Sequence, residues 1–439
     1  MTTPAEQLAA LVSGIREDDQ LMQDFSRICD CGGRVAGSPG EEEATRLLEA
    51  SLSRVSGGRL EVQRNDHPLW EADRFHLRLV PGGEEFACIP LLGSAPTPPD
   101  GLVREVVDLG LGHPEDFDRE RHALAGRIAL VRHEYPFTAD HIHRDTKARM
   151  AEACGAHGFL IAHQEHGAGP VSGSSSGRPS EGIPSFGVGA EAAARLGRDG
   201  SGYPAVEMLC VGHAVTRKLP TLILTLPGEC DETVVVSAHI DGHPLGESAV
   251  DNGTGLACAL ALARAVGSLK ARLRRTVRVC LFSAEEWDLG GSRRWLDSLT
   301  AKERQNIVLN INLDAIGGDD SLTALTSEFE HLPAFVKDSA SSIGMDIEVF
   351  QPLKDNSDHY NFAELDIPAF RLLAGFERPA SALRFLLTGQ DRRGLVTSRQ
   401  LQNATLAAGA VLMKAVNASP EEMQALRKRT TNLMERRTG

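Results

Sequence analysis

Apolar residues recur at helical spacing near the N-terminus, at Leu8, Leu11, Val12 and Ile15. A clearer helix start follows at Ser38-Pro39-Gly40-Glu41. Ser38 can cap, proline suits the first turn, and Glu41 stands where a capping box places its acid. Ala44, Leu47, Leu48 and Leu52 continue that stripe, and Gly57-Gly58 ends it. Short strand patterns fall at 60–62 and 75–80. The character changes at Pro81-Gly82-Gly83, and 90–100 reads as loop. Strands are predicted at 103–109, 127–131, 158–162 and 183–188, with helices at 146–155 and 190–196. The Gly/Ser/Pro-rich stretch 167–181 is expected to be an exposed loop. From Leu219 onward strands (222–226, 233–239, 276–282, 307–313, 347–350, 368–373) alternate with helices (255–266, 291–299, 398–416). The pattern predicts an α/β fold, a sheet flanked by helices, with a small α/β module inserted. The parts are 1–80, 81–218 and 219–439.

The chain has 439 residues, enough for two or three domains and a full-sized core. Its 41% apolar and 24% charged residues are ordinary for a globular protein. A net charge of −14 and only 5% aromatic residues disfavour nucleic acid, which needs a basic face or stacking platforms. No apolar run reaches the length of about 18 residues that crosses a bilayer, so no membrane partner is expected. The N-terminus has no basic segment followed by an apolar one. None of the eight cysteines forms a CxxC pair, and Cys29-Asp30-Cys31 is too tight for a usual zinc pair. Reduced, mostly buried thiols and a cytoplasmic location are the expectation. The arginines at 427, 429, 436 and 437 are expected to lie on a solvated helix or frayed end.

Acids and histidines gather at five places: His239-Ile240-Asp241 after a buried strand, Asp251-Asn252-Gly253 opening a helix, Glu285-Glu286 after a strand, Asp314 at a strand end, and Asp358-His359 in a loop. In open α/β sheets, ligands bind beyond the carboxyl ends of the strands. Two histidines and three carboxylates, one of them bridging, can hold two divalent cations about 3.5–4 Å apart, and a further carboxylate can serve as general base. Asp241 is placed to accept the second N–H of His239 and fix its ring. Taken singly, each of these residues has a bland reading: Asp251 as a helix cap, Glu285-Glu286 as a solvated pair, Asp314 as a turn residue.

Together, in order, they resemble the M28 peptidases, the di-zinc aminopeptidase clan that includes glutamate carboxypeptidase. The resemblance rests on VVVSAHID ending at Asp241, AVDNGTG around Asp251, LFSAEEWDLGGS around Glu285-Glu286, INLDAIG around Asp314, and SDHYNF around His359. The run from Arg34 to Ala44 is similar to the helix start of that family. The resemblance covers 1–80 and 219–417, and implies a zinc-dependent exopeptidase fold with a mixed sheet. It implies that His239 and Asp314 ligate one metal, Glu286 and His359 the other, and that Asp251 bridges. It also implies Glu285 as general base and Asp241 as the residue that orients His239. Zinc suits such ligands, although cobalt or manganese fits the same set.

The module at 81–218 is similar to a protease-associated (PA) domain, through GRIALVR at 126–132, KARMAEACGAHGFLI at 147–161 and IPSFGV at 183–188. Such domains roof or flank an active site. His141, His143, His163 and His166 within it are expected to be solvated loop histidines. His243, four residues after His239, is expected in a loop at the cleft mouth. The segment 385–396 departs from the His-Thr-x-x-Asp-Thr-like pattern usual in the family, which leaves the substrate open. The implied activity is that of an aminopeptidase on a peptide or amide substrate. The alternatives are a carboxypeptidase or amidohydrolase, for which Arg293, Arg371 and Arg384 are candidate carboxylate readers, and a non-catalytic binding protein. A homo-oligomer is left open.

Overall fold

The computed structural model describes residues 3–175, 182–197, 202–270 and 272–430. Part of the 167–181 loop, and Arg436 and Arg437, lie outside them. Fourteen strands join one mixed sheet. Its centre is Gly228–His239, paired in parallel with Leu273–Phe282 on one side and Ile307–Leu313 on the other. Ala369–Ala374 continues in parallel beyond Ile307–Leu313. Every residue of Ile307–Leu313 is buried, as a strand covered on both faces requires, and this is why it reads as a nearly continuous apolar run. Helices Thr254–Gly267, Ser398–Asn417, Pro4–Arg16 and Leu21–Asp30 pack together on the sheet. Trp295 of Gly290–Ser298 wedges between Phe282 and Phe362, tying that helix and His359–Glu364 to the sheet. Among the described residues no helix is long and apolar enough to cross a membrane.

One feature differs from the sequence reading. The patterns at 60–62 and 75–80 are the two ends of a single strand, Arg59–Val80, paired antiparallel along its length with Ala205–Leu226. The polar run Asn65-Asp66-His67 and Pro68 resembles a turn in sequence. It is carried through because the ribbon has solvent on one side, where polar side chains are tolerated. At one end Ala205–Leu226 pairs with Leu273–Phe282, and at the other with Leu102–Asp108 of the insert. The inserted module (Leu102–Asp108, Ile128–Arg132, Gly158–Ala162 and Ser185–Val188, with their helices) is thus an extension of the same sheet. Helices Pro114–Leu124 and Leu332–Ser341 and strand Leu322–Leu325 were not expected.

Two local expectations are also corrected. Ser38 caps the Glu41 amide at 3.2 Å, but the Glu41 carboxylate accepts from Gly37 N at 2.7 Å and from the Ser283 hydroxyl. The box is therefore shifted by one residue, because the acid is drawn inward. Arg427 and Arg429 are tethered rather than solvated, donating to the Ile307 and Ser327 carbonyls at 2.8 Å each. All eight cysteines are free, and Cys29 is buried.

Candidate active site

The carboxyl ends of the central strands deliver the acids and histidines to one place. His239 ends its strand and is 1% exposed. Its Nδ1 donates to the Asp241 backbone carbonyl at 3.0 Å. The Asp241 carboxylate, expected there, stands 3.7 Å away, too far for a hydrogen bond. It instead accepts from the Glu285 and Glu286 amides at 3.1 and 3.2 Å. Asp241 thus orients the Glu-Glu turn, and the backbone orients His239. That turn follows Leu273–Phe282 and bends at Ala284, whose φ is 57°.

Asp251 is no helix cap. Its carboxylate faces two imidazoles, with Oδ1 3.0 Å from His239 Nε2 and Oδ2 3.5 Å from His243 Nε2. The backbone there is held by Asp391, which accepts from Val250 N at 2.8 Å and Asp251 N at 3.3 Å, and by Asn252, which donates to Leu313 O at 2.9 Å. Asp314 Oδ1 is 3.5 Å from His239 Nε2. Its other oxygen accepts from Ser357 Oγ and pairs with Arg371 at 3.2 Å. His359 is fully buried, and among the described ion pairs no carboxylate oxygen lies within 4.0 Å of it. The structure therefore does not bring His359 to Glu286. The imidazole beside Glu286 is His243, at 2.7 Å.

The electrostatics follow from this crowding. Burial raises Glu285 well above the usual carboxylate range, and Glu286, Asp314 and Asp358 push the same way against His239. Burial would lower the two histidines, but the surrounding acids outweigh it: His239 is held well above its usual value and His243 at about 9. The same histidines hold Asp251 far down despite its burial. Burial, reinforced by Arg371, pushes His359 down to about 3.

The donor set fits divalent cations. His239 Nε2, His243 Nε2, Glu286 Oε1 and Asp314 Oδ1 are all buried without a hydrogen-bond partner, which native interiors avoid unless a ligand or ion satisfies the atoms. Two groups, His239–Asp251–Glu286 and His239–Glu285–Asp314, bring their ligating atoms within 4.8 Å of one another.

The insert closes over this cluster. A cavity of about 360 Å³ is lined by Asp251, Glu285, Glu286 and Asp314 on one side and by Phe137, His141, His143 and Arg144 of the insert on the other. His141 and His143 are thus cleft residues, not solvated loop histidines, and His143 pairs with Asp145 at 2.7 Å. His163 is buried as well. Of the arginines singled out in the sequence, Arg371 and Arg293 line the cavity, and Arg384 pairs with Glu165 instead. Arg144 and Asp391 were missed as site residues, and His243 was placed at the cleft mouth rather than beside Glu286. For His243 the spacing of four from His239 was the available signal; for the other two there was none.

The Peptidase family M28 model matches residues 221–393, and the PA domain model residues 87–196. Aminopeptidase YwaD of Bacillus subtilis is 26% identical over 391 residues, covering 88% of this chain and 82% of the relative. The probable leucine aminopeptidase 2 of Aspergillus fumigatus is 25% identical over 388 residues, covering 82% and 71%. The crystal structure of BSAP, a zinc aminopeptidase from Bacillus subtilis, superposes with a TM-score of 0.72 at 25% identity, over 91% of this chain and 96% of that one. The acids at the strand ends, the insert that roofs them and these matches agree: residues 221–393 form a peptidase family M28 domain, with a PA domain at 87–196 set into the sheet ahead of it.

Proposed function

We propose that the protein is a di-metal exopeptidase, an aminopeptidase that removes the first residue of short peptides. The observation that carries this reading is the set of buried, unpartnered ligand atoms of His239, Glu286 and Asp314 around Asp251. Zinc, or cobalt or manganese in its place, would acidify a water and polarise the scissile carbonyl there. His239 and Asp314 would hold one ion and Glu286 the other, with Asp251 between them. Glu285 takes the proton of the attacking water and passes it to the leaving amine. Asp241 keeps Glu285 and Glu286 aimed through their amides. Relatives named as aminopeptidases support the polarity of cleavage.

One observation favours a second reading. Arg144, Arg293 and Arg371 all line the cavity, and a carboxypeptidase would use such a group to read the substrate carboxylate. Peptides blocked at one end separate the two. The aminopeptidase reading expects cleavage of C-amidated peptides and none of N-acetylated ones, with all hydrolysis lost on chelation. Cleavage of N-acetylated but not C-amidated peptides would establish the carboxypeptidase. Full activity after complete removal of metal would end both.

A further inference from the structure

The imidazole expected from the sequence to serve Glu286 does not reach it, and another does. We propose that His243, together with Glu286 and Asp251, completes the second cation site in place of His359. The inference rests on the two-cation reading above and assigns one of its ligands.

Geometry is the first argument. His243 Nε2 lies 2.7 Å from Glu286 Oε1 and 3.5 Å from Asp251 Oδ2. The shorter approach is not a hydrogen bond, since neither Nε2 nor Oε1 finds an aligned partner. Both atoms are buried and left for a third partner to satisfy. Two donors on one tetrahedral zinc, each at about 2.0–2.1 Å, stand roughly 3.3 Å apart, and the two observed distances bracket that value.

The second argument is that the loop is built to hold this ring inward. His243 is 1% exposed, and its amide donates to Ser248 Oγ at 2.9 Å. Arg34 is fully buried beneath the loop and donates to the carbonyls of Ile240, Glu247 and Ser248 at 2.8, 3.0 and 2.9 Å. Gly33 lies against the His243 carbonyl so closely that a Cβ there would sit 2.2 Å from the oxygen. Such close approach is affordable only to glycine.

Third, neither the stretch after the last strand nor His359 is as well placed to serve Glu286. The stretch after the last strand contributes Leu386 and Leu387 to the cavity wall, neither of which can ligate. His359 has Arg371 as its strongest charged neighbour, and a fixed guanidinium disfavours a second cation beside it.

Metal binding to the full chain tests this. The wild type, His243→Ala, His243→Gln and His359→Asn are titrated with Co²⁺, reading visible absorption and bound ions per chain, with melting curves as the folding control. Wild type and His359→Asn should each bind two ions. Both His243 variants should keep one tight ion and bind the second more than ~100-fold more weakly, beyond the loss usual for a supporting group. His243→Asp, which restores an oxygen ligand, should recover the second ion. Two ions at wild-type affinity in folded His243 variants would overturn the assignment alone, as would loss of the second ion in His359→Asn. A wild type that binds a single ion would overturn the two-cation reading and this inference with it.

Discussion

Arg34 offers the sharpest test of how the scaffold builds the site. It lies far from the acids in sequence, is fully buried, and gives three hydrogen bonds to carbonyls of the 240–248 loop. Arg34→Met keeps an unbranched stem and removes every donor. Hydrogen bonds from a charged group contribute about 1.5–3 kcal/mol each, so three at the lower end give about 4–5 kcal/mol. The apolar chain buried in exchange returns about 1–2 kcal/mol. The net loss is about 3 kcal/mol, borne by the loop that carries His243. At ~1.4 kcal/mol per factor of ten, amide hydrogen exchange across 240–248 should accelerate about 100-fold, and His243 should lose its fixed position. Exchange read by mass spectrometry on intact protein is the assay. Arg34→Lys should recover only part, since one compact ammonium cannot serve three carbonyls as a planar fork does. Exchange within threefold of wild type, at an unchanged melting temperature, would refute the clamp.

Glu285→Gln should keep both ions and lose ~10²–10⁴ of kcat, the usual worth of a positioned base, whereas Glu286→Gln should lose bound metal as well; the reverse pattern would exchange their roles. Burial holds His133 well below its ordinary range and His141 at about 3. The unfolded chain takes up these protons as pH falls through ~6.5 and the folded chain does not. Stability is therefore full above that pH and falls below it, by up to ~1.4 kcal/mol per pH unit for each histidine. Melting temperatures between pH 7 and 5 should show the fall and His133→Asn should reduce its slope; equal slopes would refute it. An ion that binds only the folded chain adds ~4 kcal/mol at 1,000 times its dissociation constant, so chelation should lower the melting temperature, and an unchanged one would count against the cation site.

What was legible in the sequence was what periodicity and strand ends encode. The strand Ile307–Leu313 and the helix Ser398–Asn417 follow from unbroken apolar patterns, because both are covered by other elements along their length. Strand ends placed His239, Glu285 and Asp314 near one another, since parallel strands bring their carboxyl ends to one edge. Side-chain direction was not legible. The sequence favoured the Asp241 carboxylate as partner of His239, yet the backbone carbonyl takes that place, because the chain turns after His239 and the carboxylate swings under Glu285. His243 read as a loop residue because Pro244-Leu245-Gly246 follows it. Arg34, from another part of the chain, holds that loop inward together with Gly33 and Ser248. Arg144 reaches the site across the long ribbon that joins insert to scaffold, a pairing with no local signature.

That arginine also decides what the roof does. Arg144 begins a helix of the insert and lines the cavity with the acids; its guanidinium donates to Ser174 Oγ at 3.3 Å, and its charged neighbours are Glu286, then Asp145, Asp251 and Glu285. It lies flat on Gly173, where a Cβ would stand 2.2 Å from its central carbon, and the neighbouring Ser172 amide donates to the Leu387 carbonyl at 2.7 Å. The roof is thus pinned to the opposite wall at the point where Arg144 enters. A cavity of about 360 Å³ is at the small end of the ~300–1,000 Å³ usual for ligand clefts, so bulk at this position should limit the length of peptide admitted. Charge is the competing explanation, because a cation over an acid cluster also tunes what binds. Arg144→Met keeps the bulk and removes the charge, whereas Arg144→Ala removes both. If shape governs, Arg144→Ala should raise kcat/KM for tetrapeptides relative to dipeptides, and Arg144→Met should leave that ratio near wild type, with bound metal unchanged in both. Equal shifts in the two variants would assign the effect to charge. An unchanged ratio in both would mean that the roof does not sort substrates by length, leaving Leu386 and Leu387 as the wall that does.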